Sequence, residues 1–169
     1  LAYGYYSGEN ITMLNEGRLA FLRTAESKFN LANFMKVNLY TSLGAVKMGL
    51  DILMDDEKVK VEKIMGHGGF FKTKGVGQRY LSAACHAPVT VMNTASEGGA
   101  WGIALLAAYL IDQQPGESLA AYLEQRIFAH LDGETLMATD EEMKGFESFM
   151  QHYRAGLCVE KAAIAALDW

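Results

Sequence analysis

Cysteine is scarce in this chain of 169 residues. Cys85 and Cys158 fall in helix-like segments far apart, with no CxxC pair and no Cys/His spacing. That argues against a disulfide framework and a zinc site and fits a reduced cytoplasmic setting. His67, His86, His130 and His152 show no ligand spacing either. Positive charge is short as well, with 15 Lys and Arg against 20 Asp and Glu and a formal net charge of −5. Neutralising many phosphates needs clustered Lys and Arg, so a broad nucleic-acid surface is excluded. No apolar run approaches the roughly 18 residues of a membrane helix, and no basic-then-apolar leader precedes Leu1. Opening on Leu rather than Met, the sequence reads as an excised fragment. Internal repeats, low-complexity tracts and long linkers are likewise missing.

A hydrophobic fraction of 50% is ordinary for a globular chain, and the length suits one domain or a large piece of one. Residues 1–10 are turn-rich and aromatic and read as a loop. Ile11 to Leu14 and Leu19 to Leu22 are expected to form a hairpin around Asn15-Glu16-Gly17-Arg18, where Asn and Gly tolerate tight turns. After Arg23, Leu31, Met35, Leu39, Leu43, Val46, Leu50 and Leu53 recur every three or four residues, which predicts one long helix. A strand is expected from Lys60 to Met65. Beyond Asp112 the pattern predicts a helical tail. Leu119, Tyr122, Leu123 and Ile127 make one stripe, and Thr139 with Glu142 forms a capping box ahead of Met143, Phe146, Phe149 and Tyr153. Gly156 is expected to end that helix before a last one around Val159 to Leu167. The division implied is a main α/β part over 1–112 and a helical extension over 113–169.

Between Val61 and Ala108 the order is a β-branched run, a glycine turn, a helix, a second short apolar run at Val89 to Met92, another glycine turn and a helix. Parallel strands joined through a helix place their following turns at the same edge of a sheet. Ligands of open α/β sheets bind there, and helix starts favour anions. Phosphate is therefore the first expectation. The first turn is Gly66-His67-Gly68-Gly69, with a helix starting near Lys74 or Gly75 and Val76, Tyr80, Leu81 and Ala84 facing inward. Phe71 stands where a Walker loop needs glycine before Lys72-Thr73, so that motif fails. The dinucleotide pattern GxGxxG meets the same Phe71 and lacks an acidic ribose partner.

The second turn is Thr94-Ala95-Ser96-Glu97-Gly98-Gly99-Ala100, leading into a helix with Trp101, Ala104, Leu105 and Ala108 on one face. Glu97 at the helix entrance either complements the helix dipole or accepts a hydrogen bond from a ligand hydroxyl. The small residues Gly98, Gly99, Ala100, Gly102 and Ala104 either permit close packing on the sheet or leave room for a flat base. The glycines of the first turn likewise either make a strand-to-helix turn or admit a ligand.

Asn15-Glu16-Gly17-Arg18 with Phe21-Leu22-Arg23, then Phe29-Asn30-Leu31-Ala32-Asn33-Phe34, the first glycine turn, and Glu97-Gly98-Gly99-Ala100-Trp101-Gly102 together resemble the C-terminal part of an FGGY-type carbohydrate kinase. The ribulokinase-like and xylulokinase-like members are the most similar. The resemblance implies an α/β, ribonuclease H-like fold of the actin/hexokinase/Hsp70 ATPase superfamily, here as its helix-rich C-terminal half. It also implies ATP with Mg²⁺, and transfer of the γ-phosphoryl group to a sugar hydroxyl. By position, Gly66, Gly68 and Gly69 would lie against the nucleotide phosphates and ribose, with Glu97, Gly98, Gly99 and Gly102 framing adenosine. Here His67 replaces the middle glycine of a triple, and Phe70-Phe71 follows where small and polar residues are commoner. The resemblance places the aspartate base and sugar domain upstream of Leu1. The chain alone is thus expected to be inactive, with no catalytic residue of its own. Half a cleft also exposes surface that favours self-association. A free-standing nucleotide-binding or protein-interaction module is the alternative.

Overall fold

A computed structural model of the chain describes residues 1–93, 98–130 and 132–167. It is an α/β structure whose chain divides into two compact units. One comprises Leu1–Val61, Ala83–His86 and the chain from Ala138 onward; the other comprises Glu62–Ser82 and Ala87–Met137.

The first unit is built on α6 (Asp140–Ala166), the longest helix described. Thr139 caps it as its sequence predicts: Glu142 N–H donates to Thr139 Oγ1 at 3.3 Å, and Thr139 N–H donates to the Glu142 carboxylate at 2.8 Å. Phe146, Met150, Tyr153 and Glu160 are buried at helical spacing and form its inner face. Tyr40 of α1 (Leu31–Thr41) packs edge-on against Phe146, with ring centroids 4.8 Å apart. Tyr3 of β1 (Ala2–Tyr3) lies 5.1 Å from Tyr153 and donates its hydroxyl hydrogen to the Tyr153 carbonyl at 2.7 Å.

These contacts correct four local expectations. Helix α6 does not stop at Gly156; the glycine instead makes room for Tyr3, which occupies the space that a Cβ at this position would take. Residues 1–10 are not all loop. β1 pairs antiparallel with β2 (Ala20–Phe21), Ala2 opposite Phe21 and Tyr3 opposite Ala20. Ile11 and Met13, expected in that hairpin, are solvent-exposed, and the chain there closes as a short loop joined by a single bridge between Glu9 and Leu14. Burying Tyr3 outweighs the turn signal of Asn15 and Gly17. The long helix is likewise divided. α1 ends at Thr41, and α2 (Gly44–Asp51) follows after a break at Ser42-Leu43, continuing into a π-helical turn over Ile52–Asp56. Leu31 and Met35 of the expected stripe are largely exposed, whereas Tyr40, Leu43 and Gly44 are buried. Gly44 is small because the Tyr153 ring fills the place of its side chain, with Tyr153 Oη 2.7 Å from an ideal Cβ.

The second unit carries a three-stranded sheet in the order β3-β4-β5. Strands β3 (Ile64–Gly66) and β4 (Val89–Met92) run parallel, with Ile64 opposite Val89 and Gly66 opposite Val91. Helix α3 (Val76–Cys85) connects them. This is the expected β-α-β unit, with its first strand starting at Ile64 rather than Lys60. Leu81 and Ala84 are buried, while Val76 and Tyr80 are half-buried. β5 (Gly133–Leu136) pairs antiparallel with β4 and corrects the expectation of an all-helical tail. Four residues are too few for alternation to be read, and the pairing is fixed non-locally. Thr90 and Thr135 hydroxyls meet at 2.7 Å across the two strands. The buried Gln78 amide of α3 donates to the Val89 carbonyl at 3.2 Å and the Glu134 carbonyl at 2.7 Å, tying helix and both strands.

Helix α4 (Gly98–Asp112) follows β4. Trp101, Leu105 and Ala108 are half-buried as expected, but Ala104 is exposed, as are Ile103, Leu110 and Ile111. α5 (Leu119–Tyr122) is capped by Ser118, which accepts from Ala121 N–H at 3.2 Å. It passes into a π-helical turn at Leu123–Ile127.

The tyrosine cluster of the first unit gives the chain a pH dependence. Burial pushes the Tyr153 hydroxyl well above its usual value of 10.0, helped by its hydrogen bond with Tyr5. Burial raises Tyr3 likewise, with the neighbouring Tyr5 hydroxyl next in effect. The folded chain therefore holds these protons more tightly than the unfolded one. Stabilisation from the neutral hydroxyls is complete below about pH 10 and is lost as pH rises through the folded-state values. Tyr153→Phe is expected to flatten the loss of thermal stability between about pH 9 and pH 12. If melting curves of variant and parent fall equally steeply over that range, Tyr153 is not the titrating group.

Candidate functional site

Gly66 ends β3, and the Phe71 ring occupies the place of its side chain, Cε1 lying 2.5 Å from an ideal Cβ. This glycine thus makes room for a neighbour. Gly68 differs, since its φ of 95° lies where residues with a Cβ are strained. It opens the short 3₁₀ turn Gly69–Phe71, closed by Phe71 N–H donating to the Gly68 carbonyl at 3.1 Å. A Cβ added at Gly68 or Gly69 would meet nothing within 4 Å among the described residues.

Gly98 opens α4, and a Cβ there would lie 2.9 Å from His67 Cβ and 3.3 Å from its Nδ1. His67 therefore lies directly against the start of α4. The two glycine turns are neighbours at the carboxyl edge of β3 and β4, as parallel pairing requires. A Cβ at Gly99 or Gly102 would likewise meet nothing within 4 Å among the described residues. The first N–H groups of any helix lack intrahelical partners, which is why helix starts suit anions. Glu97 lies outside the described residues.

Of the expected site residues, Gly66, Gly68, Gly69 and Gly98 are thus brought together, and Gly99 and Gly102 continue along α4. His67 was not among them. Its departure from a glycine triple was the available sequence signal. Next to this edge, Phe71, Lys72, Lys74, Gln78, Asn93 and Glu134 help line a cleft of about 250 Å³. Lys74 pairs with Glu134 at 3.0 Å. Sequence reasoning missed it because β5, which supplies Glu134, was unseen. Among the described residues no three His, Cys, Asp or Glu side chains gather to hold a metal ion.

A family model for the C-terminal domain of the FGGY family of carbohydrate kinases matches residues 1–111. The chain belongs to this family. A search of curated proteins gives no match. The FGGY match takes in both glycine turns and ends one residue short of the end of α4. In this FGGY chain α5, β5 and most of the first unit's helical core, carried by α6, lie beyond the match. Among the described residues no helix is long and apolar enough to cross a membrane.

Proposed function

We propose that this chain is the nucleotide-side part of an ATP-dependent sugar kinase with a ribonuclease H-like fold, acting on a pentulose such as ribulose or xylulose. The observation that supports this best is the apposition of His67 and Gly98, which sets two backbone-exposing glycine turns side by side at one sheet edge. In this reading the backbone at Gly68 and Gly69 approaches the phosphates. The side of α4 at Gly99 and Gly102 leaves a surface for adenosine, with Gly98 at its entrance and Glu97 assigned to the same role by the sequence pattern alone. Gly66 acts one step back by seating Phe71, which shapes the turn. Mg²⁺, arriving with the nucleotide, would supply charge neutralisation. This chain supplies binding and orientation of the donor, and the base and the sugar pocket belong to the rest of the enzyme. Phosphoryl transfer depends on such groups converging, so the chain alone turns over no sugar.

Gly69→Val tests the assignment, because a Cβ at this position meets nothing within 4 Å among the described residues. In ¹⁵N NMR titrations ATP is expected to shift the amides of Gly68, Gly69 and Gly99 in the parent chain, and Gly69→Val to weaken binding by about tenfold or more. In a kinase carrying the sugar domain, the same change is expected to raise KM for ATP by about tenfold while KM for sugar changes less than about twofold. Unshifted glycine amides in the parent, or normal ATP kinetics in a folded variant, would leave these glycines with only a chain-turning role.

A further inference from the structure

We infer that the first unit carries a docking groove for an acidic protein segment bearing apolar side chains, on the face formed by β2, the loop after it and the start of α1. Charge is unevenly spread along the sequence. From Arg18 to Leu50 five Lys and Arg stand against Glu26 alone, in a chain whose net charge is −5. Arg18 pairs with Glu16 at 3.0 Å, Lys47 pairs with Asp51, and Lys36 lies over the Tyr40 ring. Arg23 and Lys28 are both exposed, and among the described residues neither pairs with a carboxylate. Arg23 rests on the Phe29 ring, its guanidinium carbon 5.1 Å from the centroid. Stacking occupies the flat face of a guanidinium and leaves its N–H edge to grip a carboxylate bidentately.

The same face exposes aromatic surface. Phe21, Phe29 and Phe34 form a cluster with centroids 5.4 to 6.3 Å apart, yet they are 41%, 55% and 39% exposed. Beside the rings and Lys28 lies a concavity of about 160 Å³. Leu22, Arg23 and Ser27 also line its neighbour, of about 530 Å³, which reaches Phe149 and Ala155 of α6. No Asp or Glu lines either. Rings and cations of this kind, aromatic residues and Arg above all, are what protein interfaces use as anchors. The loop is already ordered, since Thr24 N–H donates to Ser27 Oγ at 2.9 Å and Asn33 donates its side-chain amide to the Lys28 carbonyl at 2.7 Å. Binding therefore costs little ordering. Charge selects the occupant. In a two-fold dimer the patch would meet itself and set Arg23 and Lys28 against their own copies, which like charges oppose. Two such cations are too few for the many phosphate contacts of a nucleic acid. A segment with carboxylates beside apolar side chains satisfies both halves of the face.

Fluorescence anisotropy of a labelled Glu-rich peptide carrying phenylalanines, titrated with the full chain, tests this. Saturable binding is expected with Kd on the order of 10 μM at low salt, and binding at least about tenfold weaker when the peptide has Lys for Glu or Ser for Phe. Phe29→Ala is expected to weaken it about fivefold or more, and Arg23→Glu with Lys28→Glu about tenfold or more. That double variant should in turn prefer the Lys-bearing peptide, which loss of folding would not produce. The same change at Lys144 and Lys161, which line neither concavity, should leave Kd within about twofold. No saturable binding, equal binding of the three peptides, or equal losses in the two double variants overturns the groove. Sedimentation of the chain alone is the last arm: a dimer that Phe29→Ala dissociates would give this face to a second copy and overturn the acidic partner.

Discussion

Phe146→Ala is expected to lower the stability of the first unit by about 3–5 kcal/mol, the usual cost of emptying a buried aromatic site. Phe146 is 0% exposed and sits mid-way along the inner face of α6. Its ring lies 4.8 Å from Tyr40 and 5.8 Å from Phe149, and Tyr40 and Phe149 are themselves 5.2 Å apart. Three rings from two helices therefore close around one another, and truncating Phe146 removes one edge-on and one tilted ring contact together with the buried area. The vacated space is walled by aromatic rings and the α6 backbone, which collapse poorly. A domain's whole stability is about 5–15 kcal/mol, so the variant should unfold at much lower urea. Phe29 is the control. At 55% exposure its truncation should cost less than about 1 kcal/mol. Urea titrations followed by near-ultraviolet circular dichroism check both, and similar midpoints for the two variants would show that the three-ring cluster is not the centre of this unit.

The β3-α3-β4 unit was legible because its determinants are local: two short β-branched runs, each followed by glycine, with a helical stripe between them. The α6 cap was legible for the same reason, since Thr139 and Glu142 satisfy each other within one turn. What could not be read depends on partners far along the chain. β1 forms because Tyr3 is buried against Tyr153, 150 residues away, and α1 and α2 separate where Gly44 receives the Tyr153 ring. A periodicity count places Leu43 in the core correctly, but it also sees Leu31 and Met35 as core and cannot see that Tyr40 packs on Phe146 of α6. β5 is a strand because β4 offers it an edge. In the candidate site the glycines themselves were visible as a pattern, but not their different duties. Gly66 seats Phe71, Gly68 adopts a positive φ, and Gly98 makes room for His67. Each duty belongs to a neighbour in space.

Gly156→Val is expected to destabilise the first unit by about 2–5 kcal/mol, although helix propensity alone favours replacing glycine inside a helix. The two effects oppose each other, and their sizes decide the sign. Relieving an interior helical glycine gains at most about 1 kcal/mol, and less for β-branched valine. Against that, a Cβ at Gly156 would overlap the Tyr3 hydroxyl and come within 2.8 Å of Leu1 Cδ2. Tyr3 is 2% exposed, stacks near Tyr5 and Tyr153, and donates to the Tyr153 carbonyl, so it has no free direction in which to retreat. Overpacking costs about 1–3 kcal/mol, and a buried hydroxyl left without its acceptor costs a similar amount again. Gly156→Ala should show the same sign with a smaller loss. Combining it with Tyr3→Phe, which removes the obstructing oxygen, should recover part of that loss as a favourable coupling between the two sites. Should Gly156→Ala alone prove more stable than the parent chain in thermal and urea unfolding, α6 would not be packed at Gly156 as described, and the glycine would be only a weak point in the helix.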